Sequence, residues 1–451
     1  MAIQLSDHFP YQRLLRFTIP SIGMMLFVSV YGVVDGLFVS NFVGKTAFAS
    51  VNLIMPFLQI LSGVGAMLGV GGSALVAKTL GEGDDRRAGR YFSMTLMLLM
   101  AVGLLFTVVG VVFMRPVAYL LGATDGMIGD CVAYGRTVML FSIFMHMQYT
   151  FQSYLIVAER PTLGLIVTVA AGLTNMLLDL LFVGILGGGV VGAGLATGLS
   201  QCVGGLVPFL WFLSRRNRSA LRFAPTKMEW RPILKACGNG ASEMLGSVSG
   251  SITGMFSNHQ LMTHAGEDGV AAYGAVMYAG FVFVSVFMGY ATGVAPVIGY
   301  HFGAGDHREL RSLLRKSLTV VLAAGLLMAL LALALATPMA RLFVGYDDGL
   351  MAMTVRAFRI SAGAFLVMGV GIFTSSFFTA LNDGLVSMEI SALRTLAFPL
   401  ASVLVMPALL GLDGVWVSLV VSEGMSLATA AGFLLAKRKK YRYGRLAEPI
   451  S

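Results

Sequence analysis

Residues 91–114 and 317–340 each run for twenty-four positions without a charged side chain. About 20 apolar residues suffice to cross the ~30 Å hydrocarbon core of a bilayer at 1.5 Å of rise per residue. Each stretch is therefore long enough to span a membrane as a helix. A transmembrane β-barrel would instead show alternating segments of roughly 10 residues, and none is found. The rest of the chain agrees: hydrophobic residues make up 57% of 451 positions and charged residues 12%, with a mean hydropathy of +0.82. A soluble protein would carry about 25% charged residues.

The hydropathy pattern predicts an all-α integral membrane protein with twelve spans. They fall at 14–40, 48–77, 91–114, 132–157, 162–185, 191–213, 236–262, 270–300, 313–338, 357–380, 385–410 and 414–436. Basic residues collect on one side: Arg13 and Arg16, Arg86, Arg87 and Arg90, the stretch from Arg215 to Lys235, Arg308 to Lys316, and the tail Lys437–Lys440. The opposite loops carry Lys45, Arg115, Arg341 and Arg356 against Asp125, Asp130, Glu267, Asp268, Asp347, Asp348 and Asp413. The positive-inside rule then places both termini in the cytoplasm of a multi-pass protein of the cell membrane. The net charge of +9 sits in these short loops, so it reads as orientation and not as a nucleic-acid stripe. Cys131, Cys202 and Cys237 are odd in number and lack metal-site spacing, which makes them packing residues. No cleavable signal peptide is expected.

The chain also repeats itself. Leu80-Gly81-Glu82-Gly83-Asp84-Asp85-Arg86 matches Phe302-Gly303-Ala304-Gly305-Asp306-His307-Arg308 at an offset of 222 positions. The same offset pairs Gly44 with Gly266, Gly71 with Gly293, Phe151 with Phe373, Gly192 with Gly414 and Ser200 with Ser422. Six spans per copy put both halves in one orientation, an arrangement suited to two bundles rocking about a central cavity. The expected domains are an amino-terminal lobe 1–213, a cytoplasmic linker 214–235, a carboxy-terminal lobe 236–436 and a basic tail 437–451. Neither glycine turn continues into the Gly-Lys-Ser/Thr of a P-loop, so both are read as tight turns, without ATP chemistry.

Ionisable groups inside hydrocarbon are costly and therefore informative. Asp35 lies late in the first span, and Asp179 late in the fifth. Asn175 precedes Asp179 by one helical turn, on the same face. Their counterparts at the offset are Ser257, Ala401 and Ala397, so this polar set exists in one half only and scaffold symmetry cannot explain it. Two carboxylates in one low-dielectric pocket need a proton or a cation to join them, and all-oxygen ligands suit H+ or Na+. The alternative is structural helix bridging. Glu243, in the seventh span, is a candidate second proton or substrate site, with a basic partner as the equal alternative. Glu389, Arg394 and Glu423 are read as structural pairs or interfacial groups. Arg136 and Arg359 are read as snorkelling. His146 and His259 are read as interhelical hydrogen-bonding groups.

Several segments together resemble one family, the multidrug and toxic compound extrusion (MATE) transporters. They are VDGLFVSNFVG (34–44), AFASVNLIMP (47–56), ALVAKTLGEGDDRRA (74–88), TNMLLDLLFV (174–183), GVVGAGLATGLSQ (189–201) and VAAYG (270–274). The resemblance spans nearly the whole chain. It implies a V-shaped pair of six-helix lobes that export cationic drugs in exchange for inward protons or sodium ions. It carries the family's amino-lobe cation site onto Asp35, Asn175, Asp179 and Thr197, with the Ala193 carbonyl as a candidate ligand. If the ion is Na+, Asp35, Asn175, Asp179 and Thr197 hold it. Tyr134 matches a tyrosine near that site, and Pro20 falls where some members bend the first helix. Other members use acids in spans seven and ten. Span ten here has none, which favours amino-lobe coupling.

The function expected is secondary active efflux of organic cations or other drug-like molecules by alternating access. No cofactor beyond the coupling ion, no nucleic acid and no enzymatic reaction is expected, and the chain is taken as a monomer in the lipid bilayer. Two other readings are a lipid-linked saccharide flippase of similar architecture and a membrane-embedded transferase.

Overall fold

The computed structural model describes residues 3–43, 45–215, 217–345 and 347–444, and at positions 33, 35–41, 45, 46, 48 and 267 the backbone alone. The regular elements among them are all helical. The first bundle holds α1 (Tyr11–Phe42), α2 (Lys45–Gly81), α3 (Asp85–Leu120), α4 (Ile128–Met139), α5 (Ser142–Val157), α6 (Pro161–Asp179) and α7 (Gly189–Leu213). The second holds α8 (Trp230–Gly303), α9 (His307–Val344), α10 (Asp348–Ala380), α11 (Gly384–Ala392), α12 (Phe398–Leu410) and α13 (Leu412–Lys437).

Among the described residues ten helices are long and apolar enough to span a membrane, and an eleventh span is the broken pair α4–α5, bent by 57°. A twelfth long helical segment, which does not reach the same apolarity, is the first arm of α8, separated from the second by a kink at Gly266 (φ 61°, ψ −147°). That arm is rich in serine and glycine (Ser242, Ser247, Ser249, Ser251, Ser257), a composition that suits a wall of a polar cavity better than a lipid face. The two six-helix bundles expected from the pattern are therefore present.

The repeated turns are built alike. Gly83 (φ 81°) and Gly305 (φ 72°) adopt the left-handed conformation that closes a helix. Asp84 then caps α3 by accepting from the Arg87 amide at 2.9 Å, and Asp306 caps α9 by accepting from the Glu309 amide at 3.0 Å. They are tight turns, as expected.

The bundles meet where α2 crosses α8. A side chain at Gly81 would collide with the Tyr300 carbonyl, and one at Gly303 with the Lys78 carbonyl. Gly81 and Gly303 are themselves mates at the offset of 222. Deeper in, Gly71 lies against the Ala236 carbonyl and Gly240 against that of Met67. The crossing is thus backbone on backbone at the basic face.

The last described residues fold back on that face. Lys440 Nζ donates to Asp383 at 2.9 Å and the Tyr441 hydroxyl donates to the same carboxylate. Arg311 Nε donates to the Tyr443 carbonyl at 2.9 Å. Burial would raise the Asp383 pKa, but the bonds from Tyr441 and Lys440 outweigh it and hold the group below the usual carboxylate range. Bonding to Tyr441 and Asp383 pushes Lys440 up to about 12. A depressed acid favours docking above its ordinary value, and docking is lost as pH falls through the depressed one. The raised lysine sets the other limit, with docking lost as pH rises through about 12. Amide protection at residues 441–444 is expected to hold at neutral pH and to fall on strong acidification. Asp383→Asn should lower it about tenfold at neutral pH, the scale of one charge-assisted hydrogen bond, and flatten the acid limb.

Candidate functional site

Two polar sets lie within the apolar bundles, one in each half.

Asp179 ends α6 and is fully buried, and Asn175, one turn earlier, is 2% exposed. Directly after Asp179 the chain widens into a π-helical turn, Leu180–Ile185. Such turns let a helix re-aim its side chains and occur often at functional positions. Asn175 Oδ1 is buried and has no hydrogen-bond partner among the described residues. Tyr134 on α4 and Ala193 on α7 are both buried in one apolar cluster with Val183 and Val190. Gly194 backs onto Thr137 and the Tyr134 carbonyl, which ties α7 to α4 at this level. Thr197, one turn beyond Ala193, is half-buried.

The side chain of Asp35 lies outside the described residues, but its height in the bundle follows from its helix. α1 and α6 run in parallel: Gly164 faces Met24, Gly172 faces Phe27 and Tyr31, and Gly184 faces Phe42. That register puts the Asp35 backbone level with the turn from Asn175 to Asp179. α6 packs against α1 and α7, and α7 against α4, while Tyr134 and Ala193 share a cluster with Val183, one turn beyond Asp179. Pro20 sits inside an unbroken α1, nine residues from its start, and well below the level of Asp35.

The second set lines a cavity of about 400 Å³ between the bundles. Gln59 and Ser73 on α2 and Ser153 on α5 contribute one wall; α8, α10, α11 and the π-helical turn Leu393–Ala397 contribute the rest. Glu243 and Arg394 are its ionisable residues among the described lining. Arg394 is held in a two-pronged pair with Glu423 on α13, Nη2 to Oε1 at 3.1 Å and Nε to Oε2 at 3.3 Å. The pair is mostly buried, at 17% and 7% exposure. Glu389, grouped with them on sequence grounds, is exposed and stands apart.

Of the two histidines, His146 is buried, with Nε2 3.0 Å from the Leu61 carbonyl on α2 and Nδ1 2.6 Å from that of Ser142. It bridges helices as expected. His259 is exposed, and the interhelical role read for it is not seen. Arg136 turns back to donate to the Val111 carbonyl at 2.8 Å.

Sequence reasoning expected a central cavity but, beyond Glu243, did not name its lining. Its signal was present in the serine-rich first arm of α8. The Arg394–Glu423 contact joins residues 29 positions apart on different spans, and no local pattern announces it.

Against known proteins, a family model described as MatE matches residues 20–181 and 244–404. The multidrug export protein MepA of Staphylococcus aureus (strain N315) is 24% identical over 429 residues, covering 94% of this chain and 93% of that protein. MepA of Staphylococcus saprophyticus is 22% identical, covering 92% and 91%. Among solved structures, the outward-facing conformation of a multidrug resistance MATE family transporter superposes with a TM-score of 0.91 at 24% identity, covering 98% of both chains. A MOP superfamily transporter from Pyrococcus furiosus, described as having a binding pocket of reverse polarity that suggests a different function, superposes at 0.88 and 23% identity, covering 99% of both.

Proposed function

The chain belongs to the MatE family, and on that premise we propose that it is a secondary active exporter of drug-like organic molecules, driven by exchange for H+ or Na+. The observation that carries the reading is the one-sided set of Asp35, Asn175 and Asp179. It lies in the first bundle only, at one depth, beside a π-helical turn, while the cavity for cargo opens between the bundles. The curated relatives MepA are named as multidrug export proteins, which supports the cargo class.

In this reading the basic face is cytoplasmic, the protein works as a monomer in the cell membrane, and residues 214–235 link the lobes. Asp35, Asp179, Asn175, Thr197 and the Ala193 carbonyl hold the incoming ion, beside Tyr134. Neutralising that pocket repacks α1 about Pro20 and biases the lobes towards cargo release. An ion can do this only through different affinity for the two states.

A lipid-linked saccharide is the weaker cargo. Its pyrophosphate would need free cations, and Arg394, the cation of the described cavity lining, is already held by Glu423.

The test is export of a fluorescent organic cation from proteoliposomes, driven by a pH gradient and by a sodium gradient separately. One gradient should drive export at least tenfold above the undriven rate, and Asp35→Asn should remove the difference. Equal export with and without either gradient would reject ion coupling.

A further inference from the structure

The stretch that joins the bundles is folded onto the first of them. Asn217 and Leu221 are fully buried. Asn217 Nδ2 donates to the Leu221 carbonyl at 2.6 Å, and the Ser219 amide donates to Asn217 Oδ1 at 2.9 Å. Ser93 on α3 holds the chain beyond, donating to the Arg222 carbonyl at 3.3 Å and accepting from the Ala224 amide at 3.1 Å. Phe223 packs on Phe209 of α7 with ring centroids 5.4 Å apart, and Glu229 pairs with Arg90 of α3 at 3.5 Å. The second bundle begins at the next residue, Trp230. The cations at this junction divide in two. Arg222 is taken by the Asn217 carbonyl and Arg90 by Glu229. Lys227, Arg231 and Lys235 are exposed, and among the described residues no ion pair or side-chain hydrogen bond engages them. Arg231 and Lys235 stand one helical turn apart, and Lys227 lies four residues earlier, within about 14 Å along the chain. Lys78 of α2 adds a like charge nearby: burial and then Lys78 hold the Lys235 ammonium below the ordinary lysine range, with Glu82 opposing. Interleaved with these cations are Trp230 and Leu234, which are 62% and 66% exposed.

We infer that Lys227 and the first turn of α8 form a binding site for the headgroup of an anionic phospholipid. The surplus of cations calls for an anion, and the apolar neighbours decide which one. Tryptophan and leucine at the end of a span sit where acyl chains give way to headgroups, so the anion that meets Arg231 and Lys235 there arrives on a lipid. Basic residues at this level attract anionic lipids, each adding to the hold. A soluble phosphate would satisfy the cations but make no use of Trp230 and Leu234. The folded linker matters because it fixes Lys227 before the lipid arrives, which lowers the ordering cost of binding. Lys227 is carried by the first bundle, Arg231 and Lys235 by the second, and a headgroup shared among them touches both halves.

Trp230 is the reporter for the experiment. The chain has three tryptophans; Trp416 is 2% exposed, out of reach of lipid, and Trp211→Phe removes the other. The full chain carrying that change is placed in phosphatidylcholine vesicles in which a minor fraction of the lipid is brominated, either as phosphatidylglycerol or as phosphatidylcholine, and quenching of tryptophan emission is measured. The anionic quencher is expected to be enriched at Trp230 about tenfold over the neutral one, the scale of a few cations at a membrane surface. Adding Lys227→Gln/Arg231→Gln/Lys235→Gln should bring the two quenchers to within about twofold of each other. Arg16→Gln/Arg86→Gln/Lys439→Gln removes the same charge from exposed positions elsewhere on the basic face and should leave the enrichment in place. Equal losses from the two triple variants would mean a diffuse attraction to the whole face, and the site would be rejected. Equal quenching by the two lipids in the starting protein would reject it as well. Millimolar glycerol phosphate should not relieve the quenching; full displacement by it would show a small-anion site and overturn the lipid assignment.

Discussion

Asp179→Asn is expected to reduce gradient-driven efflux at least a hundredfold while the protein stays inserted and folded. Breaking a buried ion contact by removing one partner costs about 3–5 kcal/mol, which corresponds to at least a hundredfold in ion affinity. Asp179 is fully buried, so water cannot replace what the carboxylate supplies. Asp35→Asn should do the same, because the register of α1 along α6 sets it at the same depth. The more telling result concerns the pair. If both carboxylates hold one ion, the double variant should be no worse than either single variant, since the ion is lost once. Efflux in inverted membrane vesicles, normalised to protein content, reads all three. Additive losses would mean two independent sites, and undiminished efflux in either single variant would end the coupling role.

The second large effect concerns the amino-terminal segment, which straps the two bundles together on the basic face. The Leu5 amide donates to Glu159 at 2.7 Å, between α5 and α6 of the first bundle. Four residues on, the Phe9 amide donates to Glu309 on α9 at 3.0 Å, and Lys316 Nζ donates to the Phe9 carbonyl at 2.6 Å. His8 Nδ1 lies 2.6 Å from Glu309 as well. Leu5 and Phe9 are both buried. Opening of the basic face must break one end of this strap. Glu309→Ala removes the acceptor for two of its bonds, each worth ~1.5–3 kcal/mol when charge-assisted. The open fraction is expected to rise at least tenfold, read as the distance between spin labels placed on the α2–α3 and α8–α9 turns. Unchanged distances would show that the strap only decorates the closure. Burial holds Glu159 above the usual carboxylate range, the Leu5 bond opposing it.

The spans and their duplication were legible because both are written in long-range composition, which local packing barely disturbs. The glycine turns were equally plain, since Gly83 and Asp84 specify a helix end and a helix start by themselves. The break between α4 and α5 was not legible. It falls at Leu140–Phe141, where no proline or glycine marks it, so tertiary packing must impose it. The π-helical turns were hidden for the same reason. Asn175 and Asp179 could be placed on one face from spacing alone, and the shared depth of Asp35 needed only parallel packing of α1 on α6. The partner of Arg394 was another matter. Arg394 and Glu423 meet through the fold of the whole second bundle, and sequence reasoning could do no more than propose that they pair.

The glycine crossing of α2 and α8 has a consequence for how such a molecule can change its diet. Where main chain touches main chain, there are no side chains to adjust, and the crossing itself is set by helix geometry. Substitutions in the walls of the chamber can then accumulate without resetting how readily the machine turns over. A new cargo can be learned while the cycle keeps its old rhythm.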